Sequence, residues 1–60
     1  MATTFSRYAM KQIRKRGRLA FLNGEAITDN PYREGTERAR MWEAGYKEAE
    51  GEHHAKLGSL

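Results

Sequence analysis

The sixty-residue chain contains no cysteine, so neither a disulfide nor a cysteine-ligated metal can staple it. A chain this short buries only about 60% of the surface its unfolded form exposes, and its stability must come from close helix packing, oligomerisation or a partner. No apolar run approaches the roughly 20 residues of a membrane span, and no N-terminal apolar segment has the form of a signal peptide. The expected setting is cytoplasmic. There is no phosphate loop of the Gly-x-x-x-x-Gly-Lys-Ser/Thr type and no Ser, Cys or His in a recognisable catalytic arrangement. Adjacent His53 and His54 lack a further ligand four residues on and do not read as a metal pair. No catalytic residue, metal site or cofactor is implied.

Acidic residues are missing from the whole of residues 1–23, which hold six basic ones: Arg7, Lys11, Arg14, Lys15, Arg16 and Arg18. The remainder holds five basic and eight acidic residues, so the formal charge of +3 arises entirely in the first part. A basic segment joined to a weakly acidic one points to a polyanionic partner for the first. Proline occurs once, in Asp29-Asn30-Pro31-Tyr32. Because Pro31 lacks a backbone donor and disfavours helical dihedrals at Asn30, it divides the chain into two helical segments.

The first segment predicts a helix over about 7–23, with Ser6 or a preceding threonine as its cap. Gly24 fits the left-handed position that closes many helices. At 100° per residue Met10, Ile13, Gly17, Ala20 and Phe21 share one face, with Ala9 at its margin, and form the packing stripe. Arg7, Lys11, Arg14, Lys15 and Arg18 share an adjoining face, over roughly 16 Å at 1.5 Å per residue. Like charges four apart are mildly destabilising in a helix, so Arg7 with Lys11, Lys11 with Lys15 and Arg14 with Arg18 ask for an anionic partner. Nucleic acid is the first candidate. Leu19 and Leu22 fall outside the packing stripe, either beneath the connector or as an exposed contact patch.

Residues 24–35 read as a polar connector in which Ile27 plugs the end of the helix pair and Tyr32 packs its ring with its hydroxyl in water. A short turn starting at Pro31 is expected before Thr36, which is placed to cap a second helix with Glu37 in its first turn. That helix is expected over about 36–50, with a continuation to His54 or beyond left open, and a frayed tail within 51–60. Its apolar stripe is Ala39, Trp42, Gly45, Tyr46 and Ala49, which His53 and Leu57 extend if the helix continues; Met41 is expected on the exposed side. A helical glycine costs about 1 kcal/mol relative to alanine, so Gly17 and Gly45 on packing faces imply close approach. The expected pairings are Trp42 or Tyr46 on Gly17 and Phe21 on Gly45. The predicted fold is all-α: one small domain, an antiparallel two-helix hairpin closed by the proline-containing connector. Such a hairpin covers its aromatic stripe incompletely, which leaves a homodimer as an open alternative.

In order along the chain stand Arg16-Gly17, Gly24, Asn30-Pro31-Tyr32, Trp42, Gly45-Tyr46 and Ala49. This pattern, spanning about residues 16–49, resembles the ribosome modulation factor family, with its related CrpP-like small proteins of plasmids and phages. The resemblance implies a two-helix hairpin with Gly17, Gly24, Asn30, Pro31, Tyr32, Trp42, Gly45 and Tyr46 as scaffold. It also implies a non-catalytic protein of ribosome hibernation that binds the small subunit near the messenger exit region and promotes dimerisation of inactive ribosomes. On that reading Arg7, Lys11, Arg14, Lys15 and Arg18 form the rRNA surface. The CrpP-like members imply an alternative, an accessory protein that binds a host protein or modifies a fluoroquinolone with ATP, for which no catalytic residue can be named.

Overall fold

A computed structural model describes residues 7–58. Helix α1 spans Arg7–Leu22, one 3-10 turn covers Ile27–Asp29, and helix α2 spans Glu37–Gly58. Among the described residues there is no strand, and the two helices pack on each other in one small all-α domain. The cap expected at Ser6 lies outside the described residues.

Local chemistry sets the helix ends. Gly24 takes φ 81°. Its N–H donates to the Phe21 carbonyl at 3.0 Å and the Glu25 N–H to the Ala20 carbonyl at 2.9 Å, the two bonds of a Schellman motif that stops α1. At the start of α2 the Thr36 hydroxyl accepts the Ala39 N–H at 3.2 Å and donates to the Arg33 carbonyl at 2.6 Å, so Thr36 caps the helix. Asn30, at φ −51° and ψ 119°, has the extended conformation expected before proline. Its side chain accepts the Tyr32 N–H at 3.0 Å and donates to the Ala39 carbonyl at 3.0 Å, fastening the connector to α2. The connector's helical turn therefore precedes Pro31 instead of starting at it. Asp29 closes that turn by accepting the Ala26 N–H at 3.0 Å.

Two expectations about α2 are corrected. The helix does not give way to a frayed tail after Glu50 but continues to Gly58. A lone glycine at position 51 costs only about 1 kcal/mol, and the turns around it are tied to α1. Arg18 donates to Glu52 at 2.7 Å, and the Phe21 and His53 rings lie 5.7 Å apart. The side chain of Leu57 lies outside the described residues. Met41, expected on the exposed side, is half-buried and packs against the core.

Ile13 and Ala20 of α1 and Trp42 and Tyr46 of α2 form that core, joined by Phe21, Ile27 and Tyr32. Trp42 and Tyr46 stack at 5.5 Å, while Phe21 meets Tyr46 edge-on at 5.4 Å and 88°. The Tyr46 hydroxyl donates to the Glu25 carbonyl at 2.7 Å, bonding the middle of α2 to the turn that follows α1.

At the crossing the two glycines meet backbone, not rings. A Cβ added to Gly17 would overlap the Trp42 carbonyl oxygen and lie 2.9 Å from the Tyr46 nitrogen. One added to Gly45 would overlap the Arg14 carbonyl oxygen and lie 2.9 Å from the Arg14 Cα. The arrangement is reciprocal: each glycine admits a carbonyl of the opposite helix. The expected seat of Phe21 on Gly45 is thus occupied by the Arg14 backbone, and Phe21 packs on Tyr46 and His53.

Contacts away from the crossing climb both helices together. Met10 lies with Met41, Arg14 with Glu48, Arg18 with Glu52 and Phe21 with His53. The helices therefore run in the same sense, not antiparallel. The connector makes this possible. Its fourteen residues, 23–36, can span up to about 46 Å when extended, and the sixteen-residue α1 is only about 24 Å long. The chain turns at Gly24 and returns along α1, bringing the Tyr32 hydroxyl within 3.4 Å of Arg16.

Alanine should therefore have opposite effects at different glycines. In α2, Gly51→Ala meets nothing and should raise stability by up to about 1 kcal/mol. Gly17→Ala or Gly45→Ala should lower it by about 1–3 kcal/mol despite the better helix propensity, because backbone must move to admit the methyl. Thermal unfolding followed by circular dichroism gives the sign of each change.

Candidate nucleic-acid interface

The fold divides the cations of α1 into two groups. Arg14 and Arg18 lie on the flank that faces α2. Arg14 pairs with Glu48, and Arg18 bridges Glu48 at 3.1 Å and Glu52 at 2.7 Å. The hydrogen bond to Glu52, and then its charge, hold the Arg18 guanidinium still more firmly protonated than usual. These side chains remain between about one third and three fifths exposed, so solvent screens the pairs and they add little to stability. Their larger effect is on charge. The repulsion between Arg14 and Arg18 is relieved inside the chain, and an external anion is not needed for that part of the stripe.

Arg7, Lys11 and Lys15 are exposed and make no ion pair among the described residues. They continue outward from the paired flank and leave three positive charges facing solvent along α1. Arg16 is exposed on the other flank, beside Tyr32 of the connector. Of the five residues expected to form one basic surface, the structure thus leaves three open and commits two to carboxylates.

Sequence reasoning missed the contribution of α2 and of the end of the connector before it. In an antiparallel pair its first turns would lie beside the C-terminal end of α1. With the helices running the same way, exposed Arg33, Arg38 and Arg40 sit at the end where Arg7 and Lys11 begin. Their clustering depends on helix direction, for which the sequence offered only the length of the connector. Tyr8, Leu19 and Leu22 are exposed on the outward side of α1, and their 71%, 46% and 70% exposures place Leu19 and Leu22 in the open, not beneath the connector.

Among the described residues, three shallow grooves flank these elements. One of about 280 Å³ is lined by Ile27, Thr28, Asn30, Tyr32, Glu34 and Glu43. A second, about 210 Å³, lies among Arg18, Leu22, Ala49, Glu52 and His53. The third, about 220 Å³, has Met10 and Met41 for a floor and Arg7, Lys11 and Arg14 around it. Each is smaller than the ~300–1,000 Å³ of ordinary small-molecule sites.

The family model described as ribosome modulation factor matches residues 3–54. The chain belongs to the ribosome modulation factor family. The matched span takes in all of α1, the connector and most of α2, so membership covers both the glycine crossing and the basic face. Within it Gly17, Trp42, Gly45 and Tyr46 meet at the crossing, Gly24 stops α1, and Asn30, Pro31 and Tyr32 shape the returning connector. No curated protein and no solved structure gave a significant match. None of the described helices is long and apolar enough to cross a membrane.

Removing the internal carboxylates should uncover the paired arginines. Glu48→Gln with Glu52→Gln is expected to leave helicity nearly unchanged while strengthening binding to any RNA at low salt. The slope of log affinity against log salt should steepen by roughly one to two, as two more cations become free to meet phosphates. Fluorescence anisotropy with labelled RNA across a salt series measures both.

Proposed function

We propose that this protein binds ribosomal RNA of the small subunit through the solvent-facing cations of α1 and acts, without catalysis, to modulate translation or hold ribosomes in a hibernating state. Family membership gives the partner class. The observation that carries the surface is that Arg7, Lys11 and Lys15 face solvent without an ion pair among the described residues, while the neighbouring arginines are already neutralised. Arg14 and Arg18 then act mainly as positioned donors at the edge of that surface. Arg14, which holds one carboxylate, keeps more N–H groups for a phosphate oxygen than Arg18, which holds two. Phosphate contacts of this kind position the protein and supply salt-dependent affinity. A cytoplasmic location follows from the partner.

Exposed Leu19 and Leu22 favour a second contact, with protein. They lie toward the C-terminal end of α1, beyond the free lysines, where an apolar patch on a host or ribosomal protein could meet them. Binding of that kind is weakly salt-dependent, which separates it from the RNA reading.

Co-sedimentation with ribosomes and separated subunits at low and high salt tests the proposal. Binding should favour the small subunit and fall with salt at a log-log slope of roughly −3, as expected for about three phosphate contacts from the unpaired cations. Lys11→Glu with Lys15→Glu should abolish it with helicity intact, since neither lysine has an ion pair to lose. Reversing Arg14 and Arg18 is a poorer test, because each new carboxylate would face Glu48 or Glu52 and disturb the fold. Salt-insensitive binding that survives the lysine reversal would move the interface to Leu19 and Leu22.

A further inference from the structure

The groove between Met10 and Met41 differs from the other two in the charge around it. The connector groove carries Glu34 and Glu43, which repel phosphate, and in the groove beside Leu22 the charge of Arg18 is answered by Glu52. Around the methionine groove stand Arg7 and Lys11, with no ion pair among the described residues, and Arg14, whose charge is answered by Glu48 outside the lining; no carboxylate lines the groove itself. Its floor joins the helices, since Met10 comes from α1 and Met41 from α2, and both are half-buried. Methionine is unbranched and polarisable, and its thioether makes favourable contacts with aromatic rings. An apolar floor ringed by cations fits a ligand with a flat uncharged face and anionic groups at its edges. At about 220 Å³ the groove is too small for a whole cofactor and too shallow for a helix.

We propose that this groove receives one unpaired base of single-stranded RNA, laid on Met10 and Met41, with the phosphates on either side held by Arg7 and Lys11. The inference rests on the RNA-binding reading above and refines it. Proteins that read RNA by sequence or local shape engage loops and ends whose bases can be splayed out and stacked on apolar, aromatic or guanidinium surfaces. Arg7 and Lys11, four apart on one helix, lie on the same side of the floor and have no ion pair among the described residues. Arg14 is held by Glu48 at the far edge, which fixes the flat face of a guanidinium beside the ring. The site would therefore prefer an unstacked base in a loop, bulge or strand end over the same sequence in a duplex, whose bases cannot reach the floor.

Methionine methyl resonances of the full chain, labelled with carbon-13, provide the test. The probes are a short ribo-oligonucleotide without self-complementarity and the duplex of the same length, with affinities measured in parallel by anisotropy. The expected result is an upfield ring-current shift of the Met10 and Met41 methyls with the single strand and none with the duplex, and roughly ten-fold tighter binding of the single strand. Met10→Gln, with helicity checked by circular dichroism, should remove that preference while leaving duplex affinity unchanged. Single-strand binding with unmoved methyls would overturn the base site and leave the RNA reading standing. Failure of both probes to bind at low salt would overturn the two together. Methyl shifts that follow protein concentration without RNA would assign the groove to a second copy of the chain and also overturn the proposal.

Discussion

Everything in this molecule depends on the contact in which Gly17 admits the Trp42 carbonyl and Gly45 admits the Arg14 carbonyl. Helices whose side chains interlock normally keep their axes 8–10 Å apart, and two facing glycines remove the spacers that enforce this distance. With the axes drawn together, short residues such as Ala20, Ala39 and Ala49 suffice to fill the seam, and a few rings complete the core. That matters in a chain with little else to bury. The glycines also lower helix propensity where α1 and α2 most need it, so each helix is held by the other more than by its own backbone preference.

Close approach has an electrostatic consequence. It brings the carboxylates of α2 within reach of the flank of α1 and turns Glu48 and Glu52 into built-in counterions for Arg14 and Arg18. Such half-exposed pairs add little to stability. They do select which cations remain available. The basic stripe is narrowed to its outer edge and extended around the end of the molecule by arginines of the second helix. An acidic α2 is therefore compatible with an RNA-binding protein, because two of its glutamates, Glu48 and Glu52, lie against the arginines they hold in place.

Much of this was legible in the sequence. The two helices, the role of Thr36 as cap and the separation of packing and basic faces all follow from periodicity and short-range chemistry, where each residue's preference is expressed within a turn or two. Helix direction was not. Two amphipathic stripes can face each other in either sense, and Gly17, Gly45 and the aromatics do not distinguish them. The connector length held the answer, since residues 23–36 exceed what a simple reversal needs and suffice for a return along α1. The division of the candidate site was hidden for the same reason. Whether Arg14 meets a carboxylate depends on which turn of α2 lies beside it, and an antiparallel register would have offered a different one. The continuation of α2 past Gly51 likewise rests on Arg18 and Phe21, residues about thirty positions away.

The shared sense of the helices also makes their backbone fields add. Each helix carries about half a positive charge at its start and half a negative one at its end, and an antiparallel pair would cancel them. Here both starts lie together, beside Arg7, Lys11, Arg38 and Arg40, while both ends lie toward Glu52. The protein as a whole is therefore polarised along its 50 Å long axis. Near a dense array of phosphates it would experience a torque as well as an attraction, turning its leading end toward the surface before any side chain touches it.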